Sequence, residues 1–165
     1  MRKMLLWMVA VMALACDDGN IEIETLDFES GDPQSCDGIS VTGANVLFKI
    51  NGDEALILEL PANAIKNEVS DGSLTFAVPG TAQVTYRLFS DTVSNTYFCS
   101  EIPVTSPTVL DEIEAVNGTV RITTSSDDGT TFTHTIELLE ISLLTSSNTR
   151  ITDLRINNFG EVTTN

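Results

Sequence analysis

The stretch EIEAVNGTVRITTSSDDGTTFTHTIELLEISL, residues 112–143, decides the fold. Ile113, Ala115, Val120, Ile122, Ile136 and Leu138 alternate with polar neighbours. A period of two lets a strand bury one face and wet the other. Threonines fill many of the intervening positions, which suits a pleated, half-buried surface. Asn117-Gly118 reads as a two-residue type I′ turn that sets Ala115 opposite Val120, Ile113 opposite Ile122 and Glu114 opposite Arg121. At Asp127-Asp128-Gly129, a three-residue loop with Gly129 left-handed pairs Thr124 with Phe132 and Val120 with Ile136. That register places His134 across from Ile122 on the apolar face. Further on, the apolar phase moves from the even positions Ile136 and Leu138 to the odd positions Leu139, Ile141 and Leu143. A bulge that re-aims the strand explains such a shift, as where one strand serves two sheets.

Working outward, the same patterns between turn residues predict strands over 21–29, 44–50, 54–60, 73–78, 82–90, 95–101, 112–116, 119–125, 130–143 and 149–156. Around Ile50-Asn51-Gly52 a longer loop puts Val46, Phe48, Leu56 and Leu58 on one face. Val78-Pro79-Gly80-Thr81 has the composition of a type II turn, and 61–69 has room for a short helical turn. Short strands at this spacing predict an all-β fold. The expected architecture is a single antiparallel β-sandwich, immunoglobulin-like or jelly-roll-like, with a barrel as the variant. The phase changes favour the sandwich.

Residues 1–16 follow a different logic. Arg2 and Lys3 precede twelve apolar residues, Met4 to Ala15, that end on the small pair Ala13 and Ala15. A secretory signal has this order, and crossing a bilayer takes about 20 apolar residues. Ala13-Leu14-Ala15-Cys16 resembles the lipobox of bacterial lipoproteins. The resemblance implies a diacylglycerol thioether on Cys16 and cleavage just before it. The chain then divides into a signal peptide (1–15), a lipidated N-terminus with a short tether (16–20) and a β-sandwich domain (21–165). Ordinary cleavage after Ala15 is the alternative, but it leaves an odd number of cysteines in an exported chain. Cys-Asp-Asp-Gly at 16–19, Phe-Lys-Ile-Asn at 48–51 and Tyr-Phe-Cys-Ser-Glu-Ile-Pro at 97–103 resemble segments of uncharacterised small lipoproteins of marine flavobacteria. In that lineage, acidic residues after the lipidated cysteine accompany export to the outer leaflet of the outer membrane; in enterobacteria, Asp17 would go with inner-membrane retention. Asp91-Thr92-Val93 resembles an O-glycosylation acceptor of the same lineage, and also reads as a plain turn. The expected location is the cell envelope, anchored to the outer membrane by lipid.

Loss of Arg2 and Lys3 with the signal leaves six cations against 24 carboxylates, a net charge of −18 with His134 neutral. Such a surface repels phosphodiester backbones and anionic headgroups, which excludes nucleic acid as an expected partner. Cys36 and Cys99, 63 residues apart, are expected to form a structural disulfide. A redox or metal-binding pair would call for a Cys-x-x-Cys spacing or nearby histidines. Tyr97-Phe98-Cys99 resembles the Tyr-x-Cys of immunoglobulin domains, although no tryptophan follows residue 16. His134, the only histidine, is expected to be structural. No catalytic residues, cofactor, metal or small-molecule substrate are expected, because nucleophile elbows, zinc motifs and phosphate loops are missing. The acidic turns at 17–20, 51–54 and 127–129 lack the ligand spacing of calcium loops. Three classes remain. They are a non-catalytic binding or accessory module with an envelope partner, a purely structural envelope component, and a hydrolase built on carboxylates near Tyr86, Tyr97 or His134.

Overall fold

In the computed structural model of the chain, residues 25–151 and 153–165 are described. The expected signal peptide, Cys16 and the tether 16–20 lie outside the described residues. In chain order the elements are β1 (Thr25–Asp27), β2 (Asn45–Asn51), β3 (Glu54–Leu60), β4 (Leu74–Val78), β5 (Gln83–Phe89), α1 (Asn95–Cys99), β6 (Val109–Ser125), β7 (Phe132–Leu143), β8 (Asp153–Arg155) and β9 (Asn158–Thr164). β1 and β8 pair in parallel as a small separate sheet. The other strands form one antiparallel sheet in the order β2-β3-β5-β6-β7-β9, with β4 on β6. The all-β expectation holds, and the sheet curls between sandwich and barrel.

β6 produces the curl. Its first part pairs with β5, from Phe89 with Val109 to Thr85 with Glu114. Its second part pairs with β4, from Val78 with Gly118 to Leu74 with Ile122, while β7 runs along the opposite edge. β4 and β5 therefore lie in line along β6, and residues 79–82 form the turn between them. Register shifts between Ala115 and Thr119 bend β6 where it passes from one half to the other. Side chains from both halves meet in one core: Leu47, Leu56, Leu58 and Tyr86 from the first, Val120, Ile122, Ile136, Leu138 and Phe159 from the second.

Several turns differ from the expectations. No hairpin forms at Asn117-Gly118, because β6 continues through it. Gly118 has φ 146°, and a Cβ there would lie 2.5 Å from Ile141 Cδ1 and 3.0 Å from Ile141 Cα. The glycine serves close approach of β7, not chain reversal. Gly129 is left-handed as expected, with φ 71°. The register there is two residues longer, though, pairing Thr124 with His134 and Ile122 with Ile136. Asp128 stabilises the longer loop: its Oδ1 accepts from the amides of Thr130 and Thr131 at 2.8 and 2.7 Å. Those bonds hold its carboxyl well below the usual carboxylate range. A two-residue turn at Gly52-Asp53 pairs Asn51 with Glu54, so Leu47 and not Val46 faces Leu58. Residues 95–99 are helical instead of extended, so Tyr97 is no tyrosine corner. The 61–69 segment holds turns without a helix. The expected last strand shrinks to β8, and β9 was hidden behind Asn157-Asn158 and Gly160. Gly160 packs so tightly that a Cβ would lie 2.7 Å from Pro33 Cδ. The phase shift in β7 stands: Leu138 and Ile141 are both buried around Glu140, whose φ is 54°.

Candidate binding groove beside the disulfide

β2 and β3 are apolar on both faces, and that sets up the site. Toward the core, Lys49, Leu56, Tyr86 and Ile113 form one row across β2, β3, β5 and β6. On the other face, Phe48 and Ile50 stand beside Ile57 and Ala55, and they need a second cover. α1 and the segment before it provide one, packing Phe89 and Val93 with Ala55, Ile50, Tyr97 and Phe98. Phe98 stacks on Phe48 with centroids 4.3 Å apart and planes at 21°. Phe89 meets Tyr97 edge-on at 4.9 Å. Such contacts add about 1 kcal/mol each beyond area burial.

A helix of five residues is too short to hold itself in place. Its last residue is Cys99, and the Cys36–Cys99 bridge (Cα–Cα 5.1 Å) ties it to the loop before β2. Asn95 Nδ2 adds a hydrogen bond to Gln34 Oε1 at 3.1 Å. The two cysteines are thus brought together as the sequence predicts.

Between this bridge and β2 lies a groove of about 450 Å³. Val46, Phe48 and Phe98 form its apolar floor, and Ser35, Cys36, Asp37 and Gly38 form one wall. The other end is braced from within. Asn45 Oδ1 accepts from the Ser40 amide at 2.7 Å, and Asn45 Nδ2 donates to the Ser40 carbonyl at 2.8 Å. Ser40 Oγ takes the Gly43 amide at 2.8 Å.

β2 is an edge strand, and the edge is only partly closed. Phe48 and Gln34 exchange both backbone hydrogen bonds, each 2.9 Å long. The Phe48 N–H and C=O therefore point away from β3. In an antiparallel ladder the outward groups recur at every second residue, so those of Val46 point the same way. Opposite Val46 the chain has already turned off at Cys36, and the groove takes the place of a neighbouring strand. The Val46 side chain is 54% exposed.

His134 is fully buried, with a continuous chain of partners. Its Nδ1 lies 2.8 Å from Thr124 Oγ1 and its Nε2 lies 2.8 Å from Thr164 Oγ1. Thr164 spends its hydroxyl proton on Asn67 Oδ1, so it accepts from Nε2–H. That leaves Nδ1 to accept from Thr124 Oγ1–H. Burial lowers the His134 pKa below the ordinary 6.5, which keeps the ring neutral. The role is structural, as the sequence predicts, but the facing residue is Thr124 and not Ile122. Tyr86 donates to Glu54 Oε1 at 2.6 Å, Tyr97 sits in the aromatic cluster, and His134 sits among threonines. The three do not converge. Among the described residues, no group of three His, Cys, Asp or Glu side chains could hold a metal ion.

Lys49 is the residue that the pattern hid. It is 2% exposed, with Nζ 6.0 Å from the Phe159 ring centroid. Burial pushes its pKa down, against the opposing pull of Asp32, Glu29 and Asp27. Of the described residues, no helix is long and apolar enough to cross a membrane. Compared with protein-family models, curated proteins and solved structures, the chain matches none of them.

Proposed function

We propose that this protein is a lipid-anchored cell-envelope binding module, held to the outer membrane through Cys16 and engaging an envelope partner through the groove beside Cys36–Cys99. The observation that carries the reading is the groove itself: an aromatic floor, a partly open strand edge and walls braced by a disulfide and by Asn45. A site braced before its partner arrives loses little entropy on binding. The charge run, apolar run and lipobox-like Ala13-Leu14-Ala15-Cys16 support the anchor. A disulfide fits an oxidising compartment outside the cytosol. Two or more acyl chains would hold the protein firmly without help from its acidic surface.

Affinity capture of the tagged protein from detergent-solubilised envelope, beside a Cys16→Ala control, tests this reading. A partner enriched only with the lipidated form is expected, and equal recovery from both forms would contradict it. Intact-mass measurement should show loss of residues 1–15 and added acyl mass. An unmodified N-terminus at Cys16 would overturn the anchor.

A further inference from the structure

We propose that the groove takes an extended, cationic peptide segment, which adds to the open edge of β2 as a short strand. This rests on the groove being the protein's contact surface, and it names the chemistry of the occupant. An incoming backbone would lie about 4.8 Å from β2 and exchange two hydrogen bonds with Val46, as Gln34 already does with Phe48. Edge strands are usually guarded by lysine, proline or a bulge. Here the guard is Gln34, and it ends before Val46. Residues 44–46, Ala-Asn-Val, carry no charge and no proline. Side chains alternate along an added strand, so one of them would drop onto the Phe48–Phe98 floor.

Charge selects the occupant. Asp37 stands on the wall, and the whole chain carries a net charge of −16. A second copy of the chain would bring the same charge to the same edge, and self-pairing is disfavoured. A segment with lysine or arginine beside small or branched apolar residues answers both the floor and the field.

The test uses the full-length protein in non-ionic detergent and a fluorescein-labelled Lys-Val-Thr-Val-Lys amide, read by anisotropy. Saturable binding is expected, weakening severalfold as salt is raised. Val46→Pro should weaken it about tenfold, since proline removes the outward N–H and is tolerated where that N–H faces outward from an edge. Phe98→Ala should weaken it by a similar factor. Two further probes keep the test independent of variant folding: one N-methylated at the valines, the other at the central threonine. Strand addition predicts that one of them loses binding about tenfold while the other keeps it. The proposal is overturned if the peptide does not saturate, if a glutamate-for-lysine peptide binds as well, or if both N-methylated probes bind like the parent. It also fails if sedimentation shows the edge occupied by a second copy. Peptide binding and acylation are measured separately, so failure of one is not failure of the other.

Discussion

The two halves of the curled sheet treat their outer faces in opposite ways. In the half formed by β4, β7, β9 and the end of β6, the inner face carries Val120, Ile122, Ile136 and Leu138 and the outer face is wet. Arg121 and Glu137 pair there bidentately at 2.8 Å, and Thr135 bonds Glu161 at 3.0 Å. In the other half, the outer face of β2 and β3 is apolar as well, and Phe98 and Tyr97, packed with Phe89, cover it, while β5 beside them keeps the Arg87–Glu112 ion pair. The first half gains stability from one layer of burial and leaves nothing for a partner to displace. The second needs an extra layer, and where that layer stops short of Val46 on β2 it leaves the groove. A covalent tie is needed where a short helix does the covering, and the Cys36–Cys99 bridge lies there.

Removing the tie should give the largest effect. The Cys36→Ala/Cys99→Ala pair is expected to lower unfolding free energy by about 4 kcal/mol, since the bridge closes a 63-residue separation. Urea unfolding measures the loss, and near-UV circular dichroism should show the aromatic cluster loosening first. Unchanged stability would break the contrast between the halves. His134→Ala in the other half comes next, at about 3 kcal/mol, from a buried void and two hydroxyls left without their ring partner. The wild-type histidine also sets a pH dependence. Its folded pKa lies below the ordinary 6.5, so the unfolded chain takes up the proton first as pH falls. Stability from this group is therefore full above about 6.5 and declines below it, by up to about 1.4 kcal/mol per pH unit. Melting curves from pH 7.5 to 5 should show this slope in the wild type and lose it in a His134→Gln variant.

Lys49→Met should move stability the other way, by about 1 kcal/mol, because it keeps the buried stem and removes a charge that burial disfavours. Destabilisation instead would mean that Asp32, Glu29 and Asp27 repay its burial in full. The smallest change is expected on the wet face. Arg121→Ala breaks an ion pair whose side chains are 38% and 34% exposed, and its denaturation midpoint should stay within error of the wild type.

Much of the frame was legible. Period-two alternation located β2 to β5 to within about a residue, the phase change in β7 marked the bend, and cysteine parity named the bridge. What failed has a common cause. Asn117-Gly118 has the composition of a hairpin turn, yet Gly118 is there because β7 passes too close for a Cβ. Gly160, beyond the last expected strand, is glycine because Pro33 sits against it. Local sequence records that a side chain is missing but not which distant atom excludes it. The same blindness hid Lys49: with Phe48 buried and Ile50 half-buried, the face opposite Lys49 is apolar, and alternation cannot say which side is the core. Tyr97-Phe98-Cys99 looked extended because its residues favour strands, while tertiary packing and the bridge to Cys36 hold it helical. The groove was not readable from the sequence, since it exists only where a loop from residues 35–38 fails to follow β2.

Amide chemical-shift mapping tests the asymmetry between the halves most directly. Titrating the lysine peptide into isotopically labelled full-length protein should move the resonances of Cys36, Val46 and Phe98 and leave those of Thr123, Thr135 and Glu161 in place. Shifts concentrated on the Thr123, Thr135 and Glu161 face, or none at all, would contradict the account.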